Sequence, residues 1–300
     1  ATRPVTRGAA PPSVPAVGTG RPQGLRSGTV TTSPRPAARE THEARSEAVL
    51  DLEGVGDALA ANLTAIRERI AAACRRVGRD PSEVELLPVS KTRPPEVLRL
   101  AYAAGVRKFG ENKVQEAKAK AEALSDLADL RWAVIGHLQT NKAKYVARFA
   151  HEFHALDSLR VAEALDRRLQ AEGRGLDVYV QVNSSGEASK FGLPPEEVPG
   201  FVKQLPNYTA LRVRGLMTLA LFSDDVERVR ACFVLMRELR DRLRQEAPSG
   251  LSFDGLSMGM SNDFELAIAE GATVVRVGEA IFGPRGLPDS HYWPGLGPER

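Results

Sequence analysis

The stretch ELLPVSKTRPPEV, Glu85–Val97, holds the pattern that the rest of the chain repeats. Leu86–Val89 is a short apolar run of strand character. It stops at a polar pair, Ser90-Lys91, and Pro94 and Pro95 then suit the first turn of a helix. Working outward, the spacing predicts strands over 84–90, 106–109, 131–135, 152–156, 176–183, 211–217, 252–257 and 273–277. Amphipathic stretches such as 113–128, 158–172 and 225–245 lie between them. Strands that alternate with helices in this way predict an α/β protein built as a single (β/α)8 TIM-like barrel. An open doubly wound sheet alternates in the same way, but no G-x-G-x-x-G follows the first strand.

Upstream, VGDALAANLTAIRERIAAACRRVG (Val55–Gly78) carries helical spacing at Leu59, Leu63, Ile66, Ile70 and Cys74, and Gly78 suits its end. Residues 1–46 are rich in Pro and Arg and have no apolar period. Such a composition predicts a disordered tail, because it offers too little apolar surface to offset chain entropy. The expected barrel spans 47–288, and a short tail follows over 289–300.

Composition bounds the function. The apolar fraction of 42% supports a sizeable core. There is no apolar run of about eighteen residues, so no membrane span is expected. Cys74 and Cys232 fall in helix-like segments without metal-ligand spacing, which makes a reducing, cytoplasmic setting the expectation. The net charge is +3, but residues 1–45 hold seven arginines against two glutamates, and the remainder holds 34 basic against 36 acidic residues. The basic character therefore belongs to the tail, and no nucleic-acid partner is expected of the folded part.

In such a barrel, chemistry gathers at the C-terminal strand ends. Those ends read Ser90-Lys91, Gly110-Glu111-Asn112, Gly136-His137, Asp157-Ser158, Asn183-Ser184-Ser185, Met217-Thr218, SMGMSND (Ser257–Asp263) and RVGEAIFG (Arg276–Gly283). Polar groups at nearly every end predict one converging pocket. Closure sets Arg276 and Gly278 beside Lys91, with Asn112 approaching from the second strand. Glycine amides and serine hydroxyls after the last two strands are the parts needed to hold a dianion. A lysine beside a phosphate cradle points to a phosphorylated carbonyl compound held as a Schiff base. Plainer roles stand beside these. Ser257 or Ser261 could cap a helix, Arg276 could sit in a salt bridge, and His137 could make a structural hydrogen bond. Asp263 and Glu265 read as first-turn helix acids, and ASKFG (Ala188–Gly192) as a mobile loop over the mouth.

Seven blocks, LLPVSKTRP, FGENKVQEA, IGHLQTNK, VNSSGEASKFG, RGLMTLA, LSMGMSNDFELAI and VRVGEAIFG, together resemble the pyridoxal phosphate homeostasis proteins, in order and at natural spacing over about 55–285. The resemblance implies an alanine-racemase-like barrel that binds pyridoxal 5′-phosphate as a covalent aldimine on Lys91. It implies that Arg276 faces the pyridine nitrogen, that Asn112 lies beside the ring, and that Ser261, Gly278 and residue 279 hold the phosphate. His137 and Ser257 join the candidate cofactor-binding residues from their strand-end positions. One departure stands out: Glu279 replaces a small hydroxyl residue, so it is expected to offer its backbone N–H and turn its carboxylate away.

An arginine at the ring nitrogen keeps that nitrogen unprotonated, since guanidinium holds its proton. Carbanion chemistry is then weakly supported. Only residues 284–300 follow Gly283, so no second domain supplying a further base is expected. The reading is a non-catalytic carrier that buffers and delivers pyridoxal phosphate to dependent apoenzymes, as a monomer or weak dimer. The alternative is a single-domain amino-acid racemase using Lys91 as its base, and turnover of alanine would separate the two.

Overall fold

The computed structural model describes residues 40–284, with side chains from residue 54 onward. The chain divides into two units, Ala1–Arg45 and Ser46–Arg300. Of the first, only residues 40–45 are described, as part of a helix. Most of the predicted N-terminal tail, and all of the C-terminal one, fall outside the described residues.

The elements run α1 (Glu40–Arg76), β1 (Glu85–Pro88), α2 (Pro95–Ala103), β2 (Lys108–Glu111), α3 (Val114–Ala123), β3 (Arg131–Val134), α4 (Ala143–Phe149), β4 (Glu152–Leu156) and α5 (Leu159–Ala171). They continue with β5 (Leu176–Val182), α6 (Val198–Val202), β6 (Leu211–Thr218), α7 (Val226–Glu246), β7 (Gly255–Ser257), α8 (Phe264–Ala269), β8 (Val274–Val277) and α9 (Glu279–Phe282). All eight predicted strands are present. The second is displaced: it begins at Lys108 and ends at Glu111, so Gly110 and Glu111 belong to the strand and Asn112 follows its end.

The strands form one parallel sheet in the order β1-β8-β7-β6-β5-β4-β3-β2. β1 pairs with β8 along its full length, from Glu85–Val274 to Pro88–Val277. On its other side it meets β2 through one isolated bridge, Val89–Gly110, and the bond from Ser90 N to Gly110 O at 3.0 Å. That seam closes the barrel at its C-terminal end. At the N-terminal end the seam stands open as a cleft of about 420 Å³, lined by Val84, Leu86, Val106, Lys108 and Arg131 among others. This cleft lies away from the strand ends that carry the predicted chemistry.

The helices wrap outside because each has one apolar stripe. On α1 the predicted positions Leu59, Leu63, Ile66, Ile70 and Cys74 are all buried. Asp225 starts α7 by accepting from the amides of Glu227 and Arg228. Phe109 is fully buried with Trp132 and Phe282 around it, at ring-centroid distances of 5.9 and 6.5 Å. Truncating so large a buried ring costs about 3–5 kcal/mol.

Candidate cofactor site

Lys91 follows β1 and is buried. Strand alternation gives it the same side as Glu85, Leu87 and Val89, and Glu85 pairs with Lys108, which reaches inward to Glu152. The register sets Arg276 beside Leu87, two inward positions below Lys91, and Val277 beside Pro88. Arg276 is therefore a layer deeper than the sequence places it.

Arg276 is also buried, and its partners are not carboxylates. Nη1 donates to Ser257 Oγ at 2.8 Å and Nη2 to the Thr218 carbonyl at 2.7 Å. Among the described residues these are its hydrogen bonds, so the reading as half of a salt bridge does not hold. Burial pulls the guanidinium down to about 10, with the Asp263 carboxylate acting the other way. It remains a cation at neutral pH with further N–H donors to offer.

Beyond Ser257 runs a chain of polar groups that the sequence reading missed. His154 Nδ1 lies 2.9 Å from Ser257 Oγ, and His154 Nε2 lies 2.9 Å from Glu152 Oε2. Glu152 Oε1 accepts from Lys108 Nζ. The ionised Glu152 only accepts, so His154 Nε2 carries a proton and donates it there; in the neutral ring Nδ1 is then the acceptor of the Ser257 O–H, while Ser257 Oγ accepts from Arg276. Burial holds His154 below its ordinary value, in keeping with a neutral ring. Burial by itself would raise Glu152, but the His154 hydrogen bond and the Lys108 ammonium hold it down, to about 2. A signal for this chain was available. Glu152 and His154 are two apart on a strand buried along its length, so both face the interior.

Ser257 is fully buried at the end of β7, where it accepts from Arg276 and does not cap a helix. The other sequence candidates sit at the strand ends. Asn112 follows β2, and its Oδ1 is buried without a hydrogen-bond partner. Gly136 presses on Asn112 so closely that a Cβ there would lie 2.1 Å from the Asn112 carbonyl oxygen. Ser261 lies between β7 and α8 and is partly exposed. Gly278 is buried and Glu279 exposed at the start of α9, and the side chain of Glu279 makes no ion pair among the described residues. Asp263 does not cap α8 through its side chain in the expected manner. It accepts from the Met260 amide at 2.5 Å, which folds the SMGMS loop, and burial raises its carboxyl.

His137 is exposed at the rim. Its ring stacks on Phe191 at 4.1 Å with an interplanar angle of 11°, and Nδ1 lies 3.5 Å from Asp157 Oδ2. Phe191 belongs to the ASKFG segment. Its neighbour Lys190 donates to the Ala220 carbonyl at 2.9 Å, which ties this segment to the end of β6.

Residues 61–286 match the family profile described as alanine racemase, N-terminal domain. The pyridoxal phosphate homeostasis protein of Aquifex aeolicus is 45% identical over 226 residues, covering 74% of this chain and 96% of that protein. That of Pseudomonas aeruginosa is 45% identical over 237 residues, covering 77% and 99%. This chain belongs to the pyridoxal phosphate homeostasis protein family. Among solved structures, PipY of Synechococcus elongatus, determined with PLP bound, superposes with a TM-score of 0.65 at 41% identity, covering 73% of this chain and all of that one. The alanine racemase of Clostridium difficile superposes with a TM-score of 0.60 at 17% identity, a likeness of fold. In this family member the expected Lys91, Asn112, Arg276 and Gly278 all lie at or just below one end of the barrel. No helix among the described residues is long and apolar enough to cross a membrane.

Proposed function

We propose that this protein holds pyridoxal 5′-phosphate on Lys91 and buffers and delivers it to apoenzymes without turning over amino acids. The observation that carries the reading is the pairing of a buried lysine with a buried arginine that has donors to spare and no carboxylate bonded to it. The residues fit the cofactor on grounds of their own chemistry. Asn112 Oδ1 is a buried acceptor left without a partner, and Arg276 is a donor set without a counter-anion in contact. When bound, pyridoxal phosphate supplies an aldehyde that condenses with an amine and a ring that withdraws electrons.

The protein's residues would then act as follows. Lys91 offers the amine. Arg276, a donor only, meets the ring nitrogen as an acceptor and leaves it unprotonated. Ser257, His154 and Glu152 hold the guanidinium in that aspect. Gly278, the Glu279 amide and Ser261 take the phosphate. Phe191 and His137 cover the rim. An unprotonated ring nitrogen makes the ring a weaker electron sink, so carbanion chemistry is weakly supported. The names of the relatives support the carrier reading.

The test is a borohydride treatment of the purified protein loaded with pyridoxal phosphate, followed by peptide mapping. The expected adduct is on the peptide containing Lys91, and it disappears in Lys91→Ala. An adduct on Lys113 or Lys142 instead would overturn the assignment.

A further inference from the structure

Lys91 is flanked by a second buried polar cluster, on the outer side of the sheet and separate from the chain behind Arg276. Lys120 on α3 reaches the outer face of the sheet. Its ammonium donates to the Ser90 carbonyl at 2.7 Å, to Glu111 Oε1 at 2.6 Å and to Glu116 Oε1 at 2.7 Å. Ser90 Oγ also donates to Glu111 Oε1, at 2.6 Å. Glu116 Oε1 accepts the amide of Thr92 at 2.5 Å. One ammonium and its two carboxylates thus hold the residue before Lys91 and the residue after it. Ser90, Glu111 and Lys120 are buried.

Two features mark this cluster as more than an ordinary ion pair. Thr92 has φ of +67°, the only positive φ on a non-glycine residue among the described residues. A β-branched residue adopts that conformation only when its surroundings impose it. Glu111 Oε2 is buried with no hydrogen-bond partner, an arrangement that native interiors rarely keep. The strained residue directly follows the proposed cofactor lysine, and the carboxylate with the orphaned oxygen is bonded to Ser90 directly before it.

We infer that Glu111, Glu116 and Lys120 form a clamp that forces the Ser90–Lys91–Thr92 turn into its strained shape, and that this clamp sets how fast Lys91 gives up and retakes its aldehyde. These are positioning residues, acting through the backbone on either side of Lys91. The inference deepens the cofactor reading and rests on it for its rate measurements.

The clamp also carries a built-in response to pH. Burial lifts the Glu111 carboxyl to about 7, with the Lys120 ammonium lowering it and the Glu116 carboxylate raising it. Those two, both on α3, are the charged groups acting most on Glu111 among the described residues; its neighbour on β3, Val134, carries no charge. Burial favours the protonated carboxyl in the closed clamp, so as the pH rises through 7 the buried carboxylate costs more there than in an opened, hydrated one. Release should therefore be faster on the alkaline side.

The test uses the full-length chain with two readouts. The first needs no cofactor: hydrogen exchange of the peptide covering Ser90–Arg93. The second is loss of bound pyridoxal phosphate to a trapping hydrazine, followed by absorbance one pH unit either side of 7. Glu116→Ala and Lys120→Met should raise exchange at Thr92 and speed loss about tenfold, the effect of losing one charged hydrogen bond. Glu116→Gln keeps the acceptor and should stay near wild type. Thr92→Gly should rescue Lys120→Met, since glycine takes positive φ without strain. Wild type should release about fivefold faster on the alkaline side, and Glu111→Gln should remove that difference. Unchanged exchange in Glu116→Ala and Lys120→Met, no rescue by Thr92→Gly, or a pH step that survives Glu111→Gln would each overturn the clamp. A wild-type protein that takes no cofactor onto Lys91 would overturn the cofactor reading instead, and the exchange results alone would then decide the clamp.

Discussion

His154 on β4 meets Ser257 on β7 at 2.9 Å, although β5 and β6 separate the two strands in the sheet. The contact therefore crosses the barrel interior, and it ties the aim of Arg276 to a strand on the far side. A guanidinium held by two bonds on one side only has freedom to swing. A guanidinium whose serine partner is itself held has less.

Ser257→Ala should reveal that dependence. It removes the acceptor of Arg276 Nη1 and the donor to His154 Nδ1, leaving both buried and unpartnered. Stability should fall by about 1–3 kcal/mol, read from denaturant unfolding. Pyridoxal phosphate should bind about tenfold more weakly, read by titration. Unchanged affinity with lowered stability would make Ser257 structural only.

Glu152→Gln should lower stability most at neutral pH and least in acid. The folded carboxyl lies at about 2, below its ordinary 4.5. Its contribution is complete above about 4.5 and disappears as the pH falls towards 2. The shift corresponds to about 3 kcal/mol, of the size expected when a buried pair loses one partner. Unfolding of wild type and variant at several pH values should show their difference shrinking below about 4.5. A constant difference would mean that Lys108 and His154 do not favour the ionised form.

Arg276→Glu should alter chemistry as well as binding. A carboxylate can share a proton with the ring nitrogen, which makes the ring a better electron sink. Removing the cation should weaken binding by about 1–3 kcal/mol. With alanine added at saturation, the variant should exchange the α-proton with solvent deuterium faster than wild type, as followed by NMR. Equal exchange in a variant that still binds would show that Arg276 does not control the ring nitrogen.

Phe191→Ala should loosen the rim. The ring stacks on His137 and is half exposed, so the pair contributes about 0.5–1.5 kcal/mol. Release of pyridoxal phosphate should quicken about threefold to tenfold while the melting temperature falls by only about 1–6 °C. A large drop in melting temperature would make Phe191 part of the core instead.

The barrel was legible because its signal is local. Each strand is a short apolar run ended by polar residues, and all eight emerge where the spacing places them. The second shifts, since Gly110 and Glu111 look like a loop by type and become a strand by pairing with β3, and the seventh is half as long as predicted, Gly255–Ser257. Lys91 and Arg276 were legible as strand-end groups. Glu152, His154 and Lys120 were not, because their roles arise from contacts between residues distant in sequence or on different strands. His154 reaches Ser257 across 103 positions, and Lys120 reaches Ser90 across 30. Ser257 was misplaced for the same reason: a serine before a glycine-rich loop reads as a cap until the fold brings a histidine and an arginine to it.

The single bridge between Val89 and Gly110 gives the molecule a place to breathe. β1 is laced to β8 by a full ladder but to β2 by little more than one rung, with an open cleft below it. Local opening follows the lowest density of backbone bonds, so the sheet should part along this line before any other. The strand that precedes Lys91 is then a door leaf, hinged on β8 and latched beside the lysine. The proposed carrier role calls for a way out that leaves the rest of the wall standing, and this seam is the candidate for it.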